Sequence, residues 1–238
     1  MLALLLFVTL GFAAPAFAQT AGNVTPEMRG DIFMARKMYR EAADAYQEGP
    51  KKDGVLLNKT GIAYHQMQDL KTARKYYELA IKAKPNYAEA INNLGTVYYA
   101  DKAYRRAISQ YKKALRDSPD SASIYSNLGT AYFARKNYKD ASIAYEKALQ
   151  LDPEVFETRN TRGVLLQERS VEERAKFHYY LAKTYAKAGQ NDRALQYIRK
   201  SIEEGFKQKK RFLQDAEFAK LKDLPEFKEL MTLEPRVL

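Results

Sequence analysis

The sequence has 238 residues, of which 46% are hydrophobic, and this allows one large or two small globular units with a packed core. It contains no cysteine and only two histidines, His65 and His178, which excludes disulfides and thiol nucleophiles and leaves little material for a metal site. The formal net charge of +11 favours anionic partners, such as acidic protein faces, lipid headgroups or nucleic acid, but does not choose among them.

The chain begins with an uncharged apolar segment, residues 1–18. An apolar run that ends at Pro15 and is followed by Ala16-Phe17-Ala18 is typical of a secretory signal peptide with its cleavage site. An uncleaved membrane anchor is the alternative, because about 17 apolar residues reach the short limit of a membrane span. The segment therefore predicts an exported protein, periplasmic or otherwise associated with a bacterial envelope, and the lack of cysteine agrees with an oxidising compartment.

Residues 54–155 repeat themselves at an offset of 34 residues. The positions in register share a glycine, proline, tyrosine or alanine: Gly61/Gly95/Gly129, Pro85/Pro119/Pro153, Tyr64/Tyr98/Tyr132, Ala73/Ala107/Ala141, Tyr77/Tyr111/Tyr145 and Ala80/Ala114/Ala148. Within each unit, apolar residues recur with helical spacing in two stripes, which predicts a pair of helices. One pair alone cannot bury its stripes, so the pairs are predicted to stack.

These residues resemble the tetratricopeptide repeat, whose pattern runs Leu-Gly-x-x-Tyr, then Ala-x-x-x-Phe/Tyr-x-x-Ala, then Pro. The resemblance implies an all-α fold: a right-handed superhelical solenoid of antiparallel helix pairs with about five repeats. Three repeats fill residues 54–155, a degenerate first repeat covers residues 19–53, and a divergent repeat covers residues 175–208, where Ala182 takes the place of the glycine.

Two further segments do not follow the pattern. Residues 156–174 are predicted to be an irregular insertion, either functional or the product of drift, followed by a long helix from about residue 171. Part of an older repeat in a second phase is an alternative, because Ala175 and Tyr179 lie 34 residues beyond Ala141 and Tyr145. Residues 209–238 are predicted to form short capping helices that cover the apolar face of the last repeat.

In the family that the chain resembles, side chains of the first helices line a concave surface that binds extended peptides or partner helices. Carried over position by position, the candidate ligand-binding residues form ladders along the first helices: Asn58/Asn92/Ser126, Lys59/Asn93/Asn127, Thr96/Thr130 and His65/Tyr99/Phe133, with Lys176 and Lys183 in the fifth repeat.

The chemistry of these ladders fits an extended peptide. An asparagine amide both donates and accepts, so Asn93 and Asn127 are candidates for pairing with a peptide backbone. The alternative is that the asparagines satisfy neighbouring polar groups of the chain itself. Tyr99 and Phe133 are candidate apolar pockets, and the lysines of the fifth repeat would attract an acidic segment.

A second candidate site is the basic run Lys207, Lys209, Lys210 and Arg211. It is either a solvated segment between helices or a patch for an anionic membrane or a cell-wall polymer. No catalytic motif accompanies these features, and the adjacent carboxylates Glu172 and Glu173 diverge by about 100° on a helix. We therefore expect no catalytic residue, cofactor, metal or nucleic-acid ligand, and the sequence predicts a non-enzymatic adaptor that binds a protein or an extended peptide.

Overall fold

The computed structural model describes residues 24–157 and 170–234. Over these residues the chain is helical and has no strand. The first helices of five successive pairs are α1 (Pro26–Ala35), α3 (Gly54–Gln66), α5 (Ala88–Ala100), α7 (Ala122–Ala134) and α9 (Val171–Lys187). The second helices are α2 (Tyr39–Gln47), α4 (Leu70–Ala83), α6 (Tyr104–Asp117), α8 (Tyr138–Leu151) and α10 (Asn191–Glu203). Each helix packs against the next, which confirms the predicted all-α solenoid of antiparallel helix pairs.

The predicted signal peptide or anchor, residues 1–18, lies outside the described residues, as does most of the predicted insertion. No helix in residues 24–157 and 170–234 combines the length and the apolar character that a membrane crossing needs. Helix α9 begins at Val171, four residues before the predicted start of the fifth repeat. Ser170 caps this helix by accepting a hydrogen bond from the backbone N–H of Glu173, which explains where the helix starts.

One kind of turn joins the two helices of every pair. The second residue after each first helix has a φ between 58° and 75°, in the left-handed region: Lys37, Gln68, Lys102, Lys136 and Gly189. The next backbone N–H then reaches back to a carbonyl five residues earlier, as from Ala103 to Tyr98 at 2.8 Å and from Asn137 to Tyr132 at 3.0 Å. This hydrogen bond closes the first helix and turns the chain directly into the second. Because the turn is the same in all five pairs, all five have the same hairpin geometry.

The closest packing within a pair is between a glycine of the first helix and a tyrosine of the second. A Cβ added to Gly129 would lie 2.5 Å from ring carbons of Tyr145, and one added to Gly95 would lie 2.6 Å from Tyr111. Both tyrosine rings are fully buried. In the fifth pair Ala182 takes the glycine position and Ile198 takes the tyrosine position, and both are buried. The fifth pair therefore has a larger side chain at the glycine position, Ala182, and a smaller one at the tyrosine position, Ile198.

The last pair is covered by the C-terminal segment, which contains α11 (Arg211–Gln214), a 3-10 helix (Ala216–Leu221) and α12 (Pro225–Leu230). Its apolar side chains are buried in the same core as α9 and α10: Phe212, Phe218, Leu221, Phe227 and Leu230. The ring of Tyr179 stacks on Phe206 with centroids 4.5 Å apart, immediately before this segment. The segment thus shields an apolar face that has no further repeat to cover it.

We predict that Gly129→Ala destabilises the protein by about 1–3 kcal/mol, because the added methyl group would overlap the ring of Tyr145. In a Tyr145→Ile background the same change should be neutral or stabilising, since alanine is favoured over glycine in a helix by up to about 1 kcal/mol. Urea unfolding of the four proteins of this double-mutant cycle measures the coupling. Equal effects of Gly129→Ala in both backgrounds would contradict the proposed overlap.

Candidate functional site

A groove of about 1290 Å³ runs along the first helices of all five pairs. Eight of the predicted binding residues line it: Lys59, His65, Asn92, Asn93, Thr96, Tyr99, Phe133 and Lys176. Five do not: Asn58, Ser126, Asn127, Thr130 and Lys183. The helical period explains the split, because the ladder positions lie on neighbouring sides of each first helix, and some of them face the adjacent repeat instead of the groove.

The asparagines bind one another. Asn93 Nδ2 donates to Asn58 Oδ1 at 3.0 Å, and Asn127 Nδ2 donates to Asn92 Oδ1 at 3.0 Å. Asn92 Nδ2 donates to Asn93 Oδ1 at 3.4 Å, which joins the two bonds into one chain of amides. Asn58 continues this chain to the hydroxyl of Tyr87 at 3.4 Å. We call this chain the amide network; it links the first helices of three repeats.

The amide network gives Asn127 a role inside the protein, whereas Asn93 is half-buried and still lines the groove, so its peptide-binding role stays a prediction. Asn58, Asn92 and Asn127 are 0%, 7% and 1% exposed, so their polar groups need partners within the protein. The adjacent repeat supplies these partners, because each bond joins two asparagines of neighbouring first helices that are 35 residues apart. The alternative expectation from the sequence, that the asparagines satisfy the chain's own polar groups, agrees with this geometry.

The threonine ladder also has a structural role. Thr96 Oγ1 accepts a hydrogen bond from the hydroxyl of Tyr111 at 3.4 Å, and Thr130 Oγ1 accepts one from Tyr145 at 3.3 Å. Each threonine follows the glycine against which the tyrosine ring packs. A buried tyrosine hydroxyl needs a partner, and the neighbouring threonine supplies it in these two repeats. Burial raises the pKa of Tyr111, so its hydroxyl remains a protonated donor.

Lys59 and His65 are also engaged within the protein. Lys59 Nζ lies 2.7 Å from Glu27 Oε1 and 2.7 Å from Asp31 Oδ2, which ties α3 to α1. Burial acts to lower the pKa of Lys59, but the hydrogen bonds to Asp31 and Glu27 outweigh it and raise the pKa. His65 Nδ1 is 3.4 Å from the hydroxyl of Tyr77, and burial lowers the pKa of His65.

The aromatic ladder differs along its length. Phe133 is only 4% exposed, and its ring packs edge-on against Tyr138, Phe177 and Tyr180. It is therefore a core residue rather than the predicted open pocket. Tyr99 is half-buried, and its ring centroid lies 5.2 Å from that of Tyr104 at the groove wall. The partly exposed aromatic surface of the groove thus consists of Tyr99 together with Tyr104 and Tyr138 from the second helices.

The two predicted lysines of the fifth repeat have different surroundings. Lys176 lies at the groove, with Nζ 4.1 Å from the centroid of Tyr138. Lys183 binds the C-terminal segment instead, 2.9 Å from Asp215 Oδ2 and 3.2 Å from Glu217 Oε1. Burial acts to raise the pKa of Asp215, but hydrogen bonds from Tyr179 and Lys183 hold that pKa below its usual value. Lys183 therefore holds an acidic segment of its own chain.

The predicted basic patch does not present four unengaged cations. Lys207 pairs with Glu172 at 3.1 Å, and Lys209 donates to the backbone carbonyl of Leu233. Arg211 lies over the ring of Tyr179 at 5.0 Å and pairs with Asp215 at 3.5 Å. Because the C-terminal segment folds back on α9, it draws this run into its own packing. Lys210 alone of the four is exposed without a described ion pair.

Sequence reasoning missed the contribution of the second helices and turns to the groove. Tyr104 and Tyr138 open α6 and α8, and Lys102 and Lys136 occupy the turns before them. These four residues recur at the same offset of 34, so the repeat itself carried the signal. The family resemblance assigns ligand binding to first-helix positions, and these four residues lie outside the first helices.

Comparisons with known sequences identify the repeat. Tetratricopeptide repeat profiles match residues 56–87, 122–155 and 175–204, and a TPR repeat profile matches residues 98–134. Together these matches cover just over half of the chain. The chain belongs to the tetratricopeptide repeat family. The comparison with curated protein sequences found no match.

Solved structures of other tetratricopeptide repeat proteins share the fold. A crystal structure of MamA has a TM-score of 0.52 and 21% identity, over 74% of this chain and 93% of that one. MamA from Desulfovibrio magneticus RS-1 has a TM-score of 0.52 and 22% identity, over 73% of this chain and 89% of that one. YrrB, described as a TPR protein with an unusual peptide-binding site, has a TM-score of 0.47 and 24% identity, over 52% of this chain and 66% of that one. At these identities the likeness concerns the fold alone.

In this tetratricopeptide repeat chain, we predict that Asn92→Ala lowers the free energy of unfolding by about 1–3 kcal/mol, because Asn127 loses the acceptor of a buried hydrogen bond. Ser126→Ala, at the corresponding position of the next repeat, is the matched control and should change stability by less than about 0.5 kcal/mol. Urea unfolding measures both. Similar losses in the two variants would show that the amide network does not hold the repeats in register.

We also predict that stability falls as the solution is acidified. Burial lowers the pKa of His65 and of His178 below the ordinary 6.5; at His178 it outweighs Glu204, whose carboxylate lies 2.7 Å away. The unfolded chain then binds protons that the folded chain does not, so stability is full above about pH 6.5 and declines below it. Urea midpoints at about pH 7.5 and about pH 5 should differ more for the parent than for a His65→Gln/His178→Gln variant. Equal pH dependence in parent and variant would contradict this assignment.

Proposed function

We propose that this chain is a non-enzymatic scaffold of the bacterial envelope that binds a protein or an extended peptide in its groove. The observation that supports this proposal is the groove itself, which draws on all five pairs and spans about 1290 Å³. The walls of the groove are built on successive rigid helices. The entropy cost of binding would therefore come mainly from ordering the docking segment and only slightly from ordering the scaffold. Binding, rather than chemistry, is what such a surface favours.

The contact residues that we propose are the aromatic and basic side chains of the groove rim. The polar floor is occupied by the amide network and by the threonine–tyrosine pairs, so the floor mainly sets the register of the helices. Tyr99, Tyr104 and Tyr138 remain partly exposed above it, held by ring contacts that limit their freedom. Rigid tyrosines of this kind supply contact area with a low entropic cost and hydroxyls for a peptide backbone.

The electrostatics of the groove favour an approximately neutral segment. Helices α3, α5 and α7 together contain one lysine, Lys59, and one acidic residue, Glu89. Lysines at the turns, Lys102 and Lys136, and Lys176 at the far end add positive charge along one wall. Glu172 and Glu173 balance this charge near Lys176. We therefore infer an extended peptide with aromatic or aliphatic side chains and few charges.

The envelope location in this proposal depends on residues 1–18 and their resemblance to a signal peptide or anchor. The alternative from the sequence, binding of an anionic membrane or cell-wall polymer by the run Lys207 to Arg211, gains no support from the contacts of that run. Lys207, Lys209 and Arg211 each have a partner within the chain. We therefore place the protein or peptide ligand in the groove.

Peptides selected from a random display library on the full chain test this proposal. Their affinity, measured by fluorescence anisotropy, should fall roughly ten-fold or more in a Tyr99→Ala/Tyr138→Ala variant, because two aromatic contacts are removed. The matched control is Tyr39→Ala/Tyr125→Ala, which removes two half-buried tyrosines outside the groove. If the peptides bind in the groove, the control variant should keep the parent's affinity. Peptides that lose affinity equally on both variants, or on neither, would exclude the groove rim as their binding site.

A further inference from the structure

Positive charge is concentrated on the second helices of the second and third repeats. Helices α4 and α6 contain nine basic and two acidic residues. The three first helices between and beside them, α3, α5 and α7, contain one of each. More than half of the chain's formal charge of +11 therefore lies on two helices.

These cations point away from the core. On α4, Lys71, Lys75 and Lys82 lie within about 40° of one another and opposite the buried stripe of Ala73, Tyr77 and Ala80. On α6, Arg105, Lys112 and Arg116 occupy the same side relative to Ala107, Tyr111 and Ala114. Lys139 on α8 stands in register with Lys71 and Arg105. We call these seven residues the outer cationic surface.

The two helices form one continuous surface. The guanidinium carbons of Arg74 on α4 and Arg106 on α6 lie 5.1 and 5.8 Å from the centroid of the same ring, Tyr98. This shared contact brings the outer faces of the second and third repeats together. Beside it, a shallow hollow of about 320 Å³ is lined by Lys102, Tyr104, Arg105, Arg106 and Arg135, of which Lys102 and Tyr104 also belong to the groove.

The outer cationic surface is only weakly neutralised: Lys112 Nζ lies 5.6 Å from the ring centroid of Tyr132, and Asp69 and Asp140 attract Lys71 and Lys112 at longer range. None of its seven residues forms an ion pair among the described residues. The carboxylates nearest in register are already paired, Glu78 with Arg74 at 2.8 Å and Glu146 with Lys187 at 2.7 Å. Unpaired like charges at this density repel one another, so an anionic partner would relieve the repulsion.

Apolar side chains are exposed among these cations. Leu79, 38% exposed, lies between Lys75 and Lys82 on the outer face of α4. Ile143, 56% exposed, lies one turn after Lys139 on α8. Amphipathic surfaces that combine lysines with exposed aliphatic residues suit the headgroup region of an anionic bilayer, where the charges meet phosphates and the aliphatic groups enter the interface.

We propose that the outer cationic surface is a docking site for an anionic phospholipid membrane, independent of the groove. Five of its seven charges are lysines, which suit diffuse attraction to many headgroups better than the bidentate recognition typical of arginine. A membrane also presents apolar depth for Leu79 and Ile143, which a nucleic acid or an acidic protein does not present in the same way. None of the seven residues lines the groove, which therefore stays open to its own ligand.

Vesicle co-sedimentation of the full chain tests the proposal, with phosphatidylcholine vesicles that contain or lack phosphatidylglycerol. A Lys75→Gln/Lys82→Gln/Arg105→Gln/Arg116→Gln variant should bind the anionic vesicles at least about a hundred-fold more weakly, since each cation near such a surface contributes about five-fold. The matched control, Lys52→Gln/Lys210→Gln/Lys220→Gln/Lys228→Gln, removes four exposed cations elsewhere and should lose less than about ten-fold. All variants keep residues 1–18, so binding by that segment cannot produce the difference.

Three results would overturn the proposal. The first is an equal loss in the two variants, which would assign binding to net charge alone. The second is a difference between parent and variant that persists in high salt or on vesicles without phosphatidylglycerol, because headgroup attraction is screened and requires anionic lipid. The third is a Leu79→Ser/Ile143→Ser variant with unchanged vesicle affinity, or tighter binding of the parent to polyuridine or polyglutamate than to the anionic vesicles. The unchanged affinity would show that the aliphatic groups do not enter a bilayer, and the tighter binding would assign the surface to another polyanion.

Discussion

The close approach of two helix backbones at the glycine of the first helix, in the first four pairs, determines the rest of this structure. The tyrosine that fills the space beside Gly95 or Gly129 is fully buried, and its hydroxyl reaches the threonine that follows the glycine. Core packing and the floor of the groove are therefore set by the same side chain. The threonine hydroxyl also donates to a backbone carbonyl one turn earlier, at Asn92 or Ser126, so a displaced ring would remove one of its two hydrogen bonds. The repeat thus couples its stability to the shape of its binding surface.

Polar residues of the groove divide into those that hold the repeats in register and those that remain available to a ligand. The amide network lies deep in the groove and connects neighbouring first helices through asparagines that are 35 residues apart. The tyrosines and lysines of the rim lie higher and belong partly to turns and second helices. The rim can therefore change without loss of register, and each surface of the solenoid can acquire its own ligand chemistry on a common frame.

The sequence predicts the fold well because the period of 34 residues carries glycine, tyrosine and alanine in every full repeat. The partners of the asparagines could not be predicted, because the acceptor of Asn127 lies on another helix whose rotation depends on the whole stack. Lys183 and Arg211 were misjudged for a similar reason, since the C-terminal segment folds back to meet them. The contiguous run that begins at Lys207 is the conspicuous basic feature of the sequence, whereas the larger excess of positive charge is spread along α4 and α6 with helical spacing.

The pairing of Ala182 with Ile198 bears on how such a chain can evolve. The first four pairs combine a glycine with a tyrosine, whereas the fifth combines alanine with isoleucine. Unequal recombination between whole repeats would keep every pair matched, so the array can lengthen or shorten in units of about 34 residues. A crossover inside a repeat that joined α9 to α8 would set a methyl group against a tyrosine ring, and one that joined α7 to α10 would leave a void. A crossover inside a repeat is thus penalised where it exchanges a helix of the fifth pair, whereas a crossover among the first four repeats keeps a glycine against a tyrosine.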